Sequence, residues 1–471
     1  MGEAEYFIDE NSRRHNIVKE ISRGGQGVVY RTSNPEIAVK IEINPSTGEY
    51  INNSTCENNK KFIALRLLPI PNDIHITLPL TLINEKTGYV MRLLDDMVSF
   101  EKAFDNPDVI PQLSQWINSW KDDNEECAEA FGKYIATGGV KRRISAYLRA
   151  AIYLAKLHSV GLVYCDVSPN NMFVSSNLTS SEVWLIDADN INFQKFTKKS
   201  GYYTPGYGAP EVIRGEGCTF YSDVYAMLVS LFWQSTNNHP FKGKIVEVID
   251  ENYDFADDLE DSTNNENNAY EGKYPWIGNQ NDDSNATETP IPYENIFSKE
   301  MIKLFDATFS EDGKNIIEIR PSMFEVVDTL RNALNETIKC ENCYLEYNYF
   351  EKDSCPWCDK DSKPVLIVSS FYYENKDKII SRMVVNIHET TIYIPLHIIN
   401  ADVMSNIDKD AFELVFNNKK CVIKNLSDLD SVLLAEDNIT LTGAYEFDIK
   451  NFSLIVTENN ISKLIEFKVK L

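Results

Sequence analysis

The run Tyr164-Cys165-Asp166-Val167-Ser168-Pro169-Asn170-Asn171, followed downstream by Leu185-Ile186-Asp187, constrains this chain more than any other stretch. A short strand-like segment, Gly161 to Tyr164, delivers an Asp. Five residues later comes an Asn, and after a second apolar strand another Asp. Moving a phosphoryl group from a magnesium nucleotide needs this set. One carboxylate orients the attacking hydroxyl, while an amide and a second carboxylate hold the metals.

The 471 residues leave room for two to four domains, and 43% hydrophobic content is enough for a buried core. With 71 acidic against 46 basic residues the net charge is -25, which argues against nucleic acid or an anionic membrane as the main partner. No window approaches 18 apolar residues, so no transmembrane helix is predicted. The N-terminal MGEAEYFIDE lacks the basic and apolar parts of a signal peptide. Four of the nine Cys form two C-x-x-C pairs, and the rest are scattered, which fits a reducing compartment, the cytoplasm.

Three regions differ in texture. Residues 1–335 alternate strands and helices, 336–362 are short and Cys-rich, and 363–471 have the pattern of an all-β unit. In the first region, Val18 to Arg31 predicts two strands around a glycine turn, and Glu36 to Ile43 a third. A helix is expected from Glu57 to Leu68, then a hairpin from Ile76 to Leu94. Helices follow from Arg142 to His158, from Asp223 to Trp233 (apolar enough to be central) and after Ser322, the last with Phe324, Val327 and Leu330 inward. The acidic stretch 250–290, with Asp257, Asp258, Asp282 and Asp283, predicts a solvated insertion, partly ordered around Tyr274-Pro275-Trp276-Ile277. The last region predicts strands at Val384–Ile387, Thr391–Ile399, Phe412–Val415, Val422–Ile423, Ile439–Leu441 and Ser453–Val456, a small sandwich or barrel. His388 and His397 there have no partner ligands nearby and are assigned structural or exposed positions.

Ser22-Arg23-Gly24-Gly25-Gln26-Gly27-Val28-Val29 lies between two strands, where glycines let backbone N–H groups approach phosphate oxygens. Ile21 and Val29 would pack on an adenine ring or on the core. Next comes Ile37-Ala38-Val39-Lys40. A Lys within an apolar strand is costly unless paired, and nucleotide phosphates would pair it.

In this order the motifs resemble the eukaryotic-type (Hanks-type) Ser/Thr protein kinases of bacteria, from about residue 15 to 335. Gly24, Gly27 and Val29 match the glycine-rich loop, and Ala38 and Lys40 the nucleotide-pairing strand. Met91 looks like the gatekeeper, with Arg92 to Leu94 as the adenine-binding hinge. Asp166 matches the catalytic Asp, Asn171 and Asp187 the magnesium ligands, and Thr204 to Glu211 the substrate-side loop ending in A-P-E. Asp223 matches the brace of the catalytic loop, and Arg320 the partner of Glu211. The resemblance implies ATP and Mg2+ as cofactors. It also implies an association, in a bacterial subgroup, with a metal-dependent phosphatase and a von Willebrand A protein in stress or defence modules.

Several positions depart from the family. Cys165 replaces the Arg that binds a phosphorylated activation loop, Tyr164 replaces His as a packing change, and Ser168 replaces the Lys at the transferring phosphate. Asp187-Ala188-Asp189 replaces D-F-G, and Asp189 either binds metal or caps a turn, the turn being favoured. Glu57 is the expected helix partner of Lys40, with Lys60 and Lys61 as competitors for it.

Cys340-x-x-Cys343 and Cys355-x-x-Cys358 have the spacing of two knuckles holding one structural Zn2+. The fold expected is therefore α+β: a bilobal kinase domain (1–335), a zinc ribbon (336–362) and an all-β domain (363–471). The function expected is transfer of the ATP γ-phosphoryl group to a protein Ser or Thr. Two alternatives stay open, a pseudokinase scaffold and a small-molecule kinase.

Overall fold

A computed structural model describes residues 5–24, 27–52, 59–105, 125–197, 203–246, 259–352, 354–361, 364–387, 391–399, 409–417, 420–436, 439–448 and 450–470. The first strands are β1 (Tyr6–Ile8), β2 (Arg14–Arg23), β3 (Gly27–Thr32), β4 (Ile37–Glu42), β5 (Thr81–Leu82) and β6 (Gly88–Arg92). They form one antiparallel sheet in the order β1-β2-β3-β4-β6-β5. Alternation sorts its faces. Val28, Tyr30, Val39, Ile41 and Val90 join Phe7, Ile43 and Ile83 in a core on one side. Val29, Ala38, Lys40, Tyr89 and Met91 share the other, because the register pairs Val29 with Lys40, Lys40 with Tyr89 and Ala38 with Met91. Helix α1 (Lys60–Arg66) covers part of that second face, with the Phe62 ring edge-on to Tyr89 at 4.7 Å.

The second lobe is mainly helical: α2 (Phe100–Asp105), α3 (Glu125–Ala136), α4 (Gly139–Ser159), α5 (Pro210–Ile213), α6 (Phe220–Thr236), α7 (Leu259–Tyr270), α8 (Tyr293–Ile296), α9 (Lys299–Phe309), α10 (Glu311–Asn315) and α11 (Met323–Glu336). Short strands β7 (Met97–Ser99), β8 (Leu162–Val163), β9 (Met172–Ser175), β10 (Val183–Leu185) and β11 (Asn192–Phe193) sit at its top, in the orders β10-β9-β7 and β11-β8. Every residue of α6 from Ser222 to Phe232 is buried, as a central helix requires. Its first turn is closed by a reciprocal Thr219–Ser222 capping box. In α11 the inward stripe is Met323, Val326, Val327 and Leu330, and Phe324, expected inward, is 44% exposed. Met323 takes the first-turn position at the i, i+3, i+4, i+7 spacing, which turns its neighbour to solvent.

The acidic stretch is ordered around Tyr274-Pro275-Trp276-Ile277, as expected. Trp276 and Ile277 are buried, and Lys314 Nζ donates to the carbonyls of Gly272 (2.9 Å) and Tyr274 (3.2 Å). Asp282 and Asp283 are exposed, and Asp257 and Asp258 lie outside the described residues.

Strands β12 (Thr337–Lys339) and β13 (Glu346–Asn348) make a hairpin around the first Cys pair. The C-terminal region is a sandwich. One sheet contains β14 (Val365–Tyr372), β15 (Asn375–Asn386), β19 (Ser431–Leu434), β20 (Ile439–Thr440), β22 (Phe452–Glu458) and β23 (Ile461–Lys470). The other contains β16 (Thr391–Pro395), β17 (Asp410–Asn417), β18 (Lys420–Asn425) and β21 (Ala444–Asp448). Leu366, Val368, Phe412, Leu414 and Phe467 fill the space between them. The strand expected through Ile399 stops at Pro395 and continues as a helical turn, α12 (Leu396–Ile399). His397 in that turn is buried, and His388 lies outside the described residues. Strand β14 faces two cores at once. Leu366 and Val368 enter the sandwich, while Val365 and Ile367 join the helical core. Among the described residues no helix is long and apolar enough to cross a membrane.

Candidate active site

Strand β8 feeds a loop whose shape is set by one buried carboxylate. Asp223, near the start of α6, accepts from the backbone N–H of Tyr164 (2.8 Å) and of Cys165 (3.0 Å), and His158 Nε2 lies 3.0 Å from it. Cys165 is held at φ +74°, a left-handed conformation that costs a non-glycine residue energy and persists only when neighbours over-determine it. Tyr164 is more than a packing change. Its hydroxyl donates to the Ile186 carbonyl, tying the loop to the residue before Asp187. Asn171 completes the connection: its side-chain N–H donates to the Asp166 carbonyl (2.9 Å), and its own carbonyl accepts from Ile186 N–H (3.0 Å). Asp166, Asn171 and Asp187 are thereby gathered at one end of β9 and β10.

The Asp166 carboxylate accepts a hydrogen bond from Thr204 Oγ1 at 2.9 Å. Burial pushes its pKa up; the Thr204 bond opposes the rise and the nearby Asp187 charge adds to it. Thr204 thus occupies one oxygen of the Asp166 carboxylate.

Lys40 reaches across from β4 on the sheet's second face. Its ammonium pairs with Asp187 Oδ1 and, at 2.7 Å, with Asp189 Oδ2. Burial alone would lower the lysine pKa, but the Asp189 and Asp187 carboxylates outweigh it and hold the group above its ordinary value. Asp189 is thus neither a turn cap nor an open metal ligand. Its side chain is only 3% exposed, and its other oxygen accepts from the hydroxyl of the buried Tyr89 at 2.8 Å. The Asp187 side chain is 29% exposed and sits at φ +57°, which Asp tolerates better than most residues. Glu57, the expected partner, lies outside the described residues, and Lys61 pairs with Glu42.

Gly24 N–H donates to the Gly27 carbonyl (2.9 Å), closing the turn between β2 and β3. A Cβ at Gly27 would lie 2.8 Å from the Ile41 carbonyl oxygen, whereas one at Gly24 would meet open space. Packing therefore demands glycine at Gly27 alone of the two. Gly25 lies outside the described residues. Val29, Ala38 and Met91 share the Lys40 face. Ile21 stands at a register shift in β2 and is 46% exposed, outside the core. Beyond Arg92, which is exposed, the Leu93 N–H is engaged by the Glu36 carbonyl (2.8 Å), and Leu94 is half-buried.

Two further loop positions and one buried ion pair complete the site. Ser168 is fully buried with its Oγ unpartnered, so it does not replace a phosphate-contacting lysine. The Cys165 thiol is pushed far above its ordinary pKa by its neighbour Cys218 and by burial, which keeps it protonated and poorly nucleophilic. Glu211 and Arg320 form a buried bidentate pair at 2.8 and 2.9 Å, with Ser222 Oγ donating to the same carboxylate (2.8 Å).

The four Cys converge elsewhere, between α3, β13 and the sandwich. Their Sγ atoms all lie within 4.8 Å of one another, with Cys340–Cys358 and Cys343–Cys355 at 3.7 Å. Thiolates at ~2.3 Å from a tetrahedral ion are about 3.8 Å apart, so the set fits zinc. The Trp357 ring packs edge-on to Phe131 at 5.4 Å, which seats this module against the helical lobe.

Residues 130–329 match the family described as protein kinase domain. The chain is 26% identical over 241 residues to the probable serine/threonine-protein kinase PknB of Lactococcus lactis, covering 50% of this chain and 34% of that protein. It is 32% identical over 108 residues to serine/threonine-protein kinase dkf-2 of Caenorhabditis briggsae, covering 22% and 9%. With serine/threonine-protein kinase PknG of Mycobacterium leprae the identity is 33% over 113 residues, covering 24% and 14%. The chain thus spans about a third or less of the length of these relatives. The family match begins within α3, so the β-sheet lobe is characterised by its own geometry.

Proposed function

We propose that this chain, which carries a protein kinase domain related to bacterial Ser/Thr kinases, transfers the γ-phosphoryl group of MgATP to a protein hydroxyl. One observation carries the reading. Lys40 and Asp187, 147 residues apart, meet in an ion pair beside the loop that presents Asp166. Lys40 and the glycine turn would hold the phosphates. Asn171 and Asp187 offer the oxygen donors that Mg2+ takes, and the ion would neutralise charge on the phosphates. Asp166 accepts the hydrogen bond of the attacking hydroxyl and fixes its direction, a role Thr204 fills in the resting site. A role in bacterial signalling or stress response, with a phosphatase and a von Willebrand A protein as partners, extends the same proposal.

A pseudokinase is the second reading, favoured by a specific feature: Lys40 is already neutralised by two carboxylates, and the phosphate-contacting Lys is missing. Purified protein incubated with labelled MgATP and a generic basic protein separates the two. Transfer by the wild type that disappears in Asp187→Ala is the expected result. ATP binding without transfer would leave the pseudokinase, and transfer persisting in Asp187→Ala would place the chemistry elsewhere.

The Cys cluster would hold one structural zinc through Cys340, Cys343, Cys355 and Cys358. Elemental analysis is expected to give one zinc per chain. Its removal by a chelator should lower the midpoint of thermal unfolding by several degrees, since a structural zinc site contributes ~10 kcal/mol in small domains and ~1 kcal/mol corresponds to roughly 1 °C for a unit of this length. An unchanged midpoint after complete removal would sink the structural role.

A further inference from the structure

A cleft of about 560 Å3 opens between the helical lobe and the C-terminal sandwich, and its lining shares no residue with the Lys40 face. Its size lies within the range of small-molecule sites, roughly 300–1,000 Å3. Helices α4 and α11 form one wall, and β15, β16 and α12 the other. The chain carries a net charge of -25, yet this cleft is lined by Lys141, Arg142 and Arg149 against a single carboxylate, Glu346. That carboxylate is committed, accepting from the backbone N–H of Lys141 at 2.7 Å.

Buried polar atoms at the cleft are left without partners. Arg142 donates through its terminal nitrogens to the carbonyls of Thr137 (3.1 Å) and Ser175 (2.9 Å), while its Nε, buried, donates to nothing. Asn335 (8% exposed) and His397 (5% exposed) meet across the two domains, His397 Nε2 lying 3.1 Å from Asn335 Oδ1. Burial pushes the His397 pKa down to about 4, so the ring is neutral and Nε2 donates. That leaves His397 Nδ1 as an acceptor and Asn335 Nδ2 as a donor, both buried and unpartnered. Turning the amide over would exchange these roles but not the sum, one donor and one acceptor. Native structures rarely leave such groups unpaired, because each costs free energy. Three at one cleft, beside a patch of positive charge, match a ligand. Leu334, Met383 and Pro395 add apolar wall.

We propose that this interdomain cleft is a binding site for a small organic anion, a carboxylate or phosphate carried on an apolar ring with a hydroxyl. The anion faces Arg142 and Lys141. The hydroxyl both donates and accepts at the His397–Asn335 pair, and the ring lies on the apolar wall. The site owes nothing to the kinase reaction and holds whether or not the chain transfers phosphate.

The test is calorimetric titration of the full chain with 4-hydroxybenzoate and 4-hydroxyphenyl phosphate, with neutral 4-hydroxybenzamide as the control. Saturable binding is expected for the anions, about tenfold or more tighter than for the amide. Arg142→Gln should weaken it about tenfold. Asn335→Leu with His397→Leu should do the same without lowering the unfolding midpoint, since apolar replacements remove unpaired polar groups. Lys40→Met should bind as the wild type does. Anions bound no tighter than the amide, binding unchanged in both cleft variants, or binding lost in Lys40→Met would each overturn the proposal.

Discussion

Asp166→Asn is expected to lower phosphoryl transfer by ~10²–10⁴-fold, the usual contribution of a positioned acid–base group, while making the protein more stable at pH 7. The two effects share a cause. Asp166 is drawn into the protein and lies near the Asp187 charge, so folding raises its pKa. A carboxyl whose folded pKa is raised contributes stability that is fully present below the unfolded value, about 3.9, and is lost as pH rises through the folded value. At pH 7 the ionised form therefore opposes folding. Asn resembles the protonated carboxyl in shape and charge and can still accept from Thr204. The variant's advantage should be clear at pH 7 and vanish below about pH 3.9. Denaturant midpoints at the two pH values, beside transfer rates for both proteins, check this. A variant less stable than wild type at pH 7, or an advantage that survives in acid, would show that Asp166 contributes to folding and is not held there at a cost. Sites that oppose folding are where function is expected to have overruled packing.

Much of this site was legible because its chemistry is local. The Asp166–Asn171 spacing and the strand before Asp187 are set within a few residues, and the structure brings all three together. Lys40 was legible from the cost of a charge in an apolar strand. The Asp189 contact was not. Two residues after a metal-type Asp, an exposed turn position and a buried counter-ion have the same local sequence; only the fold of β4 and β6 over that point decides. Tyr89 gave no sign either, since a Tyr in a strand is ordinary until its hydroxyl meets a buried carboxylate. The same limit applies to the sandwich. Strands β14 and β23, central to its larger sheet, went unrecognised. In β14 alternate residues serve two different cores, so the run Val365 to Val368 is apolar throughout and shows no period of two. Phe324 was misplaced by one residue, about 100° of helix phase, because Met323 fills the stripe equally well.

Asp189→Ala is expected to reduce kcat/KM by ~10²-fold, the scale of a misplacement of about 1 Å in a positioning group. The reason lies in how the two carboxylates divide Lys40. Asp187 is the more open of the pair and is the one a metal would claim. When it does, Asp189 alone keeps the ammonium in place, and Tyr89 anchors Asp189 from behind. A buried lysine needs a fixed counter-ion, and among the described residues that ion comes from the segment after β10. Without it, Lys40 competes with magnesium for Asp187. The variant should therefore need more Mg2+ for half-maximal rate, a change that general loosening of the fold would not produce. Asp189→Glu, which restores the charge on a longer arm, should recover part of the magnesium affinity, and Tyr89→Phe should cost less than Asp189→Ala because it removes an anchor and leaves the ion pair. Unchanged rate and unchanged magnesium dependence in Asp189→Ala would mean that another carboxylate, with Glu57 the first candidate, takes Lys40 during turnover.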